Sequence, residues 1–378
     1  MKFWRVESNA AYALLAAALI GLLAANSPAR ISLETFRDWN VSILGTTFTI
    51  DGWIHAFGIP AFFFLVGLEL KRELTVGELT PIKRAVVPAL AAILGVALPA
   101  LAYLAVVGLG NPLSTGWAIP TATDVTFALA AFTIFGKALP QSARSFLLGY
   151  AVIDDLIAVL VIAAVFSAPL NPALGLVILG WVGLFAVVAR TKALSTYRIL
   201  QTALMVITGV GAIYFTIVND LQPTLTAVAL GLIVPAKRTQ QIQDALHPAI
   251  SFTVMPLFAL FAAGVTFGEL NLGASAVFWA IMLRPIGKML GITIGAELGK
   301  KLIGGMPTLP LAAIIPTALL GGAGFTVALL VAKYSFSLMP GAEMAAVAAT
   351  FFATAISLLA GSIALKIYKP GTARNPRS

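Results

Sequence analysis

Of the 378 residues, 60% are hydrophobic and only 10% are charged, with a mean hydropathy of +0.97. A soluble domain of this size carries about a quarter of its residues charged, so most of this chain's surface must face something other than water. The lack of cysteine excludes disulfides and thiol chemistry, and two separated histidines, His55 and His247, are a poor basis for a metal centre. The net charge of +9 suggests a nucleic-acid partner until the positions of the basic residues are considered, and they point elsewhere.

Apolar runs of about 20 residues, enough to cross a hydrocarbon core of about 30 Å, recur along the chain. They predict an all-α polytopic membrane protein with twelve transmembrane helices, at 10–26, 53–70, 85–107, 116–136, 143–168, 173–190, 200–217, 221–235, 248–266, 274–298, 311–332 and 343–366. The first 25 residues also have the form of a cleaved signal peptide, with Ala-Ala-Asn before Ser27 as a small-residue site. A retained helix is the reading that explains the charge parity described next. Between the first two spans, the pieces Val41–Ile43 and Thr47–Ile50 flank Leu-Gly-Thr. This reads as a small surface β-hairpin over 41–50, or else as an irregular loop.

With the N-terminus placed inside, the inner segments hold nineteen Lys and Arg, and the outer ones hold three, Arg30, Arg37 and Lys333. Such an excess marks the cytoplasmic side. Both termini are therefore expected inside, the number of spans is even, and the basicity is a topology signal rather than a nucleic-acid one.

Most acidic residues fall in loops or at span ends. Asp124, well inside the fourth span, and Asp154 and Asp155, central in the fifth, do not; Arg284 and Lys288 lie within the tenth. Each such charge costs about 2.5–3.5 kcal/mol at a helix centre, or about 12–17 kcal/mol for five left unpaired in lipid. One reading is a salt-bridge network that holds helices together. Three acids against two bases leave one acid over, however, and a spare carboxylate must hold either a proton or a cation. Alternation between the two is exchange. Adjacent residues on a helix point about 100° apart, so Asp154 and Asp155 face different partners, and two carboxylates this close compete for charge.

Two spans are poor as continuous helices. The fourth reads GWAIPTATD, where Pro120 removes a backbone donor beside the oxygen ligands Thr121, Thr123 and Asp124. The eleventh contains GGAGFT, from Gly321 to Thr326. Interrupted helices at membrane depth are tolerated where the freed backbone lines a cavity or meets another helix; either motif alone is also compatible with glycine-mediated helix packing. One interruption comes from each half of the chain, and spans 3–5 and 10–12 begin on opposite sides, as inverted repeats require. The broken ends leave dipoles of about half a charge each. Asp124 is suited to offset two N-ends and Lys288 two C-ends.

The segments FFFLVGLELKREL (62–74), GWAIPTATD (116–124), AVIDDL (151–156), LHPAISFTVMPLFA (246–259), GKMLGI (287–292) and GAGFT (322–326) together carry a family resemblance. On them the chain resembles the NhaA-type sodium/proton antiporters over nearly its full length. These are themselves among the transporters that define the inverted-repeat architecture. The resemblance implies twelve helices with two discontinuous, crossing ones, and a transport core at 85–168 and 274–366. It also implies an interface domain at 10–70 and 200–266 that forms a homodimer, a periplasmic hairpin at 41–50 that contributes to it, and a cytoplasmic tail at 367–378. Asp155 is then the main sodium- and proton-carrying carboxylate and Asp154 its partner, with Thr123 and Asp124 at the crossed helices. Lys288 pairs with the cluster or balances dipoles. Glu69 and Glu73 match an acidic mouth implicated in pH response, or else are plain solvated helix-end charge. Three positions depart from the family's pattern: Gln222 stands where a histidine is typical, Gln243 where an acid is, and Arg284 is unexpected. Arg284 pairs with a core carboxylate, shifts the working pH, or snorkels outward.

The expected function is an electrogenic, pH-regulated sodium (or lithium)/proton antiporter of the bacterial inner membrane, exporting cytoplasmic sodium against periplasmic protons. Its ligands are the transported ions and the lipid bilayer, with no cofactor and no nucleic acid. A sodium-coupled organic-anion symporter would show more Asn, Gln and Ser in the central spans, and a passive channel would need no competing carboxylates. An enzyme would need a nucleophile–base pair or a metal-ligand set, and neither is visible.

Overall fold

The computed structural model describes residues 2–43, 45–75, 82–166, 172–191, 198–219, 221–266, 272–303 and 309–368. The tail beyond Tyr368, with Lys369, Arg374 and Arg377, lies outside these, as does Lys192. Among the described residues, eight helices are long and apolar enough to cross a membrane. A ninth is counted if the bent pair Asn9–Ala25 and Arg30–Arg37 is one span. Four shorter apolar helices accompany them: Leu174–Arg190, Pro223–Ile233, Leu311–Leu320 and Thr326–Phe336. The protein is thus a nearly all-helical, multi-pass membrane protein with one small sheet.

That sheet is the hairpin of β1 (Asn40–Ile43) and β2 (Thr46–Thr49), antiparallel with Asn40 opposite Thr49 and Ile43 opposite Thr46. Gly45 supplies the left-handed backbone of the turn at φ +82°. The Trp53 indole N–H donates to the Val41 carbonyl at 2.9 Å and docks the hairpin on the helix that follows. Just before the hairpin, α2 (Arg30–Arg37) turns 119° from α1 (Lys2–Ala25). This stretch is short and polar. It is amphipathic, held by an Arg30–Glu34 pair at 2.7 Å and by Phe36 against Phe261.

The chain divides into two compact units. The first comprises Met1–Ala11, Pro81–Asp154 and Phe267–Ser378. It contains α5 (Ile82–Val107), the 3-10 helix Pro112–Thr121, α6 (Val125–Phe135), the start of α7 (Gln141–Phe166), α13 (Leu272–Met282), α14 (Arg284–Ile303), α15 (Leu311–Leu320), α16 (Thr326–Phe336) and α17 (Pro340–Ile367). Its central pairing is α14 on α5, made by glycines one turn apart. A Cβ at Gly291 would stand 2.1 Å from the Leu94 carbonyl oxygen, and one at Gly295 2.2 Å from that of Leu90. Only small residues allow two backbones this close, so α14 sits deep with its charged face held inside.

The second unit comprises Tyr12–Thr80 and Asp155–Thr266. It contains α3 (Ile50–Trp53), α4 (Ile59–Thr75), α8 (Pro172–Arg190), α9 (Arg198–Val218), α10 (Pro223–Ile233), α11 (Ala236–Ala249) and α12 (Met255–Ala262). Glycines act here too: Gly67 and Gly231 bring α4 and α10 together, each leaving no room for a Cβ. The helix holding LHPAISF begins at Ala236, earlier than its apolar stretch. Pro248 lies inside it without ending it, and the strain is taken up in the π-helical turn Ile250–Val254.

Candidate functional site: two interrupted helices around buried charge

The 3-10 helix ends at Thr121, and Ala122 and Asp124 are extended before α6 begins at Val125. In the second half, α15 ends at Leu320, and Gly321–Phe325 separates it from α16. Backbone groups freed by the two interruptions must find partners, and they find one another. The Asp124 N–H donates to the Ala323 carbonyl at 2.6 Å, and the Thr123 hydroxyl donates to the Gly321 carbonyl at 2.7 Å. A Cβ at Gly324 would be 2.0 Å from the Ala122 carbonyl oxygen, so glycine is required there.

Asp124 is buried, and its Oδ2 accepts from the Thr326 hydroxyl at 3.0 Å and from the Thr326 N–H at 3.4 Å. Asp124 precedes α6, and Thr326 opens α16, so one carboxylate stands at the positive ends of two helices. Lys288 is fully buried on α14 and donates to Asp154 Oδ1 at 2.7 Å and to the Thr123 hydroxyl at 2.9 Å. A continuous line of contacts therefore runs from the Gly321 carbonyl through Thr123 and Lys288 to Asp154. Asp154 is 1% exposed and its Oδ2 makes no hydrogen bond. A buried ion pair of this kind adds little net stability, but losing one partner leaves a charge stranded. Asp155 follows on α7, turned by about 100°; it is half-buried and belongs to the second unit.

Arg284 stands one turn before Lys288 and is fully buried, so it does not snorkel. Its Nη2 donates to the Thr350 carbonyl at 3.1 Å and to the Thr354 hydroxyl at 2.7 Å. No carboxylate pairs with it among the described residues, and its Nε and Nη1 make no hydrogen bond.

In the second unit, Glu73 is buried beside Arg72 at 3.4 Å, and Arg72 also donates to Gln240 at 3.2 Å. Glu69 lies one turn earlier, half-buried. Gln243 is buried with its Oε1 accepting no hydrogen bond. Gln222 precedes α10 and donates to the Phe166 carbonyl at 3.1 Å. The structure therefore brings together Asp124, Thr123, Asp154 and Lys288; in the second unit Glu73 meets Arg72, and Gln243 is buried on α11.

Sequence reasoning passed over three residues. Thr326 stands two residues after the glycine run, where a hydroxyl commonly serves a helix start. Tyr150, one turn before Asp154, is buried and donates to the Thr317 carbonyl at 3.0 Å. Thr354 belongs to a buried hydroxyl stripe on α17 with Thr350 and Ser357, and its spacing of three and four residues is visible in the sequence.

Interrupted helices that meet around buried charge define the core of a membrane transporter. The family described as Na+/H+ antiporter 1 matches residues 1–365. The chain belongs to this family, that of the NhaA-type antiporters, and is a transporter rather than an enzyme. It is 38% identical over 373 residues to Na(+)/H(+) antiporter NhaA 2 of Clavibacter michiganensis subsp. michiganensis, covering 96% of this chain and 91% of that protein. It is 33% identical over 388 residues to Na(+)/H(+) antiporter NhaA of Bordetella parapertussis, covering 96% and 92%. The solved sodium proton antiporter MjNhaP1 of Methanocaldococcus jannaschii shares the fold, with a TM-score of 0.53 at 14% identity over 97% of this chain and 99% of that one.

Proposed function

We propose that this protein is an electrogenic Na+(Li+)/H+ antiporter of the bacterial inner membrane, exporting cytoplasmic sodium against periplasmic protons and regulated by pH. The observation that carries the reading is the buried Lys288–Asp154 pair at 2.7 Å beside the Thr123 hydroxyl, with Asp155 next on the same helix. In this reading Asp155, next to the Lys288-paired Asp154, is the carboxylate that trades a proton for a cation. Competition of the two for the same oxygens is antiport.

In this reading the chain crosses the membrane twelve times, the four short apolar helices being halves or tilted spans, with both termini cytoplasmic. The segments 85–168 and 274–366 form the inverted repeats of the transport core, and the two interruptions are their crossing helices. The segments 10–70 and 200–266, with the hairpin, form the interface of a homodimer. Cytoplasmic sodium enters at Asp155 and Asp154 and displaces protons; the core moves, and periplasmic protons displace the sodium. More than one titrating group per cycle makes the exchange electrogenic. Glu69 and Glu73 belong to the cytoplasmic mouth and carry the pH response, tuned by Gln222 and Gln243 in place of titratable groups.

Asp155→Asn is expected to abolish sodium-dependent proton flux in proteoliposomes while the purified protein keeps its thermal unfolding profile. Exchange at the wild-type rate in that variant rules out the assignment. Flux on adding sodium, lithium or potassium between pH 6.5 and 9 measures the cation preference and the pH response.

A further inference from the structure

α14 carries two fully buried cations one turn apart, and among the described residues only one of them has a counter-ion. Lys288 faces Asp154. The guanidinium of Arg284, which stays charged in proteins, is bound by a carbonyl and a hydroxyl instead. A buried charge without compensation is strongly destabilising, so its surroundings must supply one.

They do so through the second interruption. The Thr354 hydroxyl that accepts from Arg284 donates onward to the Gly324 carbonyl at 2.8 Å. Arg284 Nη1 lies at the same glycine: a Cβ built on Gly324 would be 3.4 Å from it. Gly324 in turn backs directly on Ala122 of the first interruption. Arg284 thus reaches, through one hydroxyl, the point where the two interrupted segments touch.

We propose that Arg284 is a positioning residue for exchange: through Thr354 it grips the Gly324 carbonyl and pins the Gly321–Phe325 segment against Ala122–Asp124, leaving Lys288 to Asp154. The consequence for exchange rests on the antiporter reading; the grip itself does not.

The side-chain chemistry of Thr354 separates a grip from mere packing. Thr354→Val keeps the volume and removes the hydroxyl, whereas Thr354→Ser keeps the hydroxyl and removes a methyl group. In full-length protein reconstituted in liposomes, the Val variant is expected to lose about tenfold in maximal sodium-driven proton flux, the size of one charge-assisted hydrogen bond. The Ser variant stays within about twofold of wild type. Amide hydrogen exchange over Gly321–Thr326 is measured on the same samples; it accelerates about tenfold in Val and in Arg284→Met, and not in Ser. A Val variant with wild-type protection, or a Ser variant as impaired as Val, overturns the grip. Lost protection with unchanged flux overturns the positioning role. Wild-type protein without sodium-driven flux sinks the antiporter reading instead, and the amide measurement still decides the grip.

Discussion

The two units interrupt their long helices by opposite means. In the second, α3 passes into α4 through the π-helical turn Ile54–Gly58, and α11 into α12 through Ile250–Val254. Each turn widens the helix by one residue without stopping it, so the backbone ladder stays internal. The two turns touch, and a Cβ at Gly58 would lie 2.7 Å from a Val254 methyl group. In the first unit, the 3-10 helix and α15 stop outright, the first into extended backbone and the second into a turn at Gly321–Gly322. There the freed groups recruit each other and a set of polar side chains: Thr123, Asp124 and Thr326. A bend that keeps its hydrogen bonds needs no charge. A break that gives them up creates a place where charge is stable, and that is where the buried ions collect.

The contrast is exposed to measurement. The largest effect is expected at the ion pair: Lys288→Met strands the Asp154 carboxylate and costs about 3–5 kcal/mol, seen as a drop in the thermal unfolding midpoint of the detergent-purified protein. Adding Asp154→Leu should restore most of that loss, since an apolar pair of similar size replaces a buried ion pair at little cost. If the single variant melts like wild type, the pair does not hold the core. Next is Thr326→Val, which removes one hydrogen bond from the Asp124 carboxylate, worth about 1.5–3 kcal/mol; Thr326→Ser should melt near wild type. Gly324→Ala pushes a methyl group into the Ala122 carbonyl and costs about 1–3 kcal/mol, with sodium-driven flux falling further than stability does. The smallest effect belongs to the π-helical turn. Gly58→Ala meets a Val254 methyl group rather than backbone, so a smaller cost of about 1 kcal/mol with flux intact is expected. Equal losses at Gly58 and Gly324 would erase the distinction between bend and break.

Much of this architecture was legible beforehand. The hairpin followed from Leu-Gly-Thr between β-forming pieces, and both interruptions from Pro120 and from the run Gly321–Gly324. The carboxylate pair stood out because it holds the only charged residues of its span beyond Arg144. Helix α2 was not legible, because eight residues with two arginines read as loop until Phe36 finds Phe261. Nor was the packing of α14 on α5, although its glycines recur every four residues; a spacing names a face without naming what lies against it.

Hydrophobic length and charge sign are properties of composition along the chain, so the amino-acid order alone determined that this is a membrane protein with ionisable groups at helix centres. Which of those groups meet depended on approach in three dimensions. Lys288 and Arg284 are the same kind of residue on one helix face, one turn apart, yet one ends on a carboxylate and the other on Thr354. Only the packed position of α14, fixed by Gly291 and Gly295 against the α5 backbone, assigns each cation its partner. Direction and distance of a few ångströms decide an electrostatic pairing, and neither is written in the order of residues.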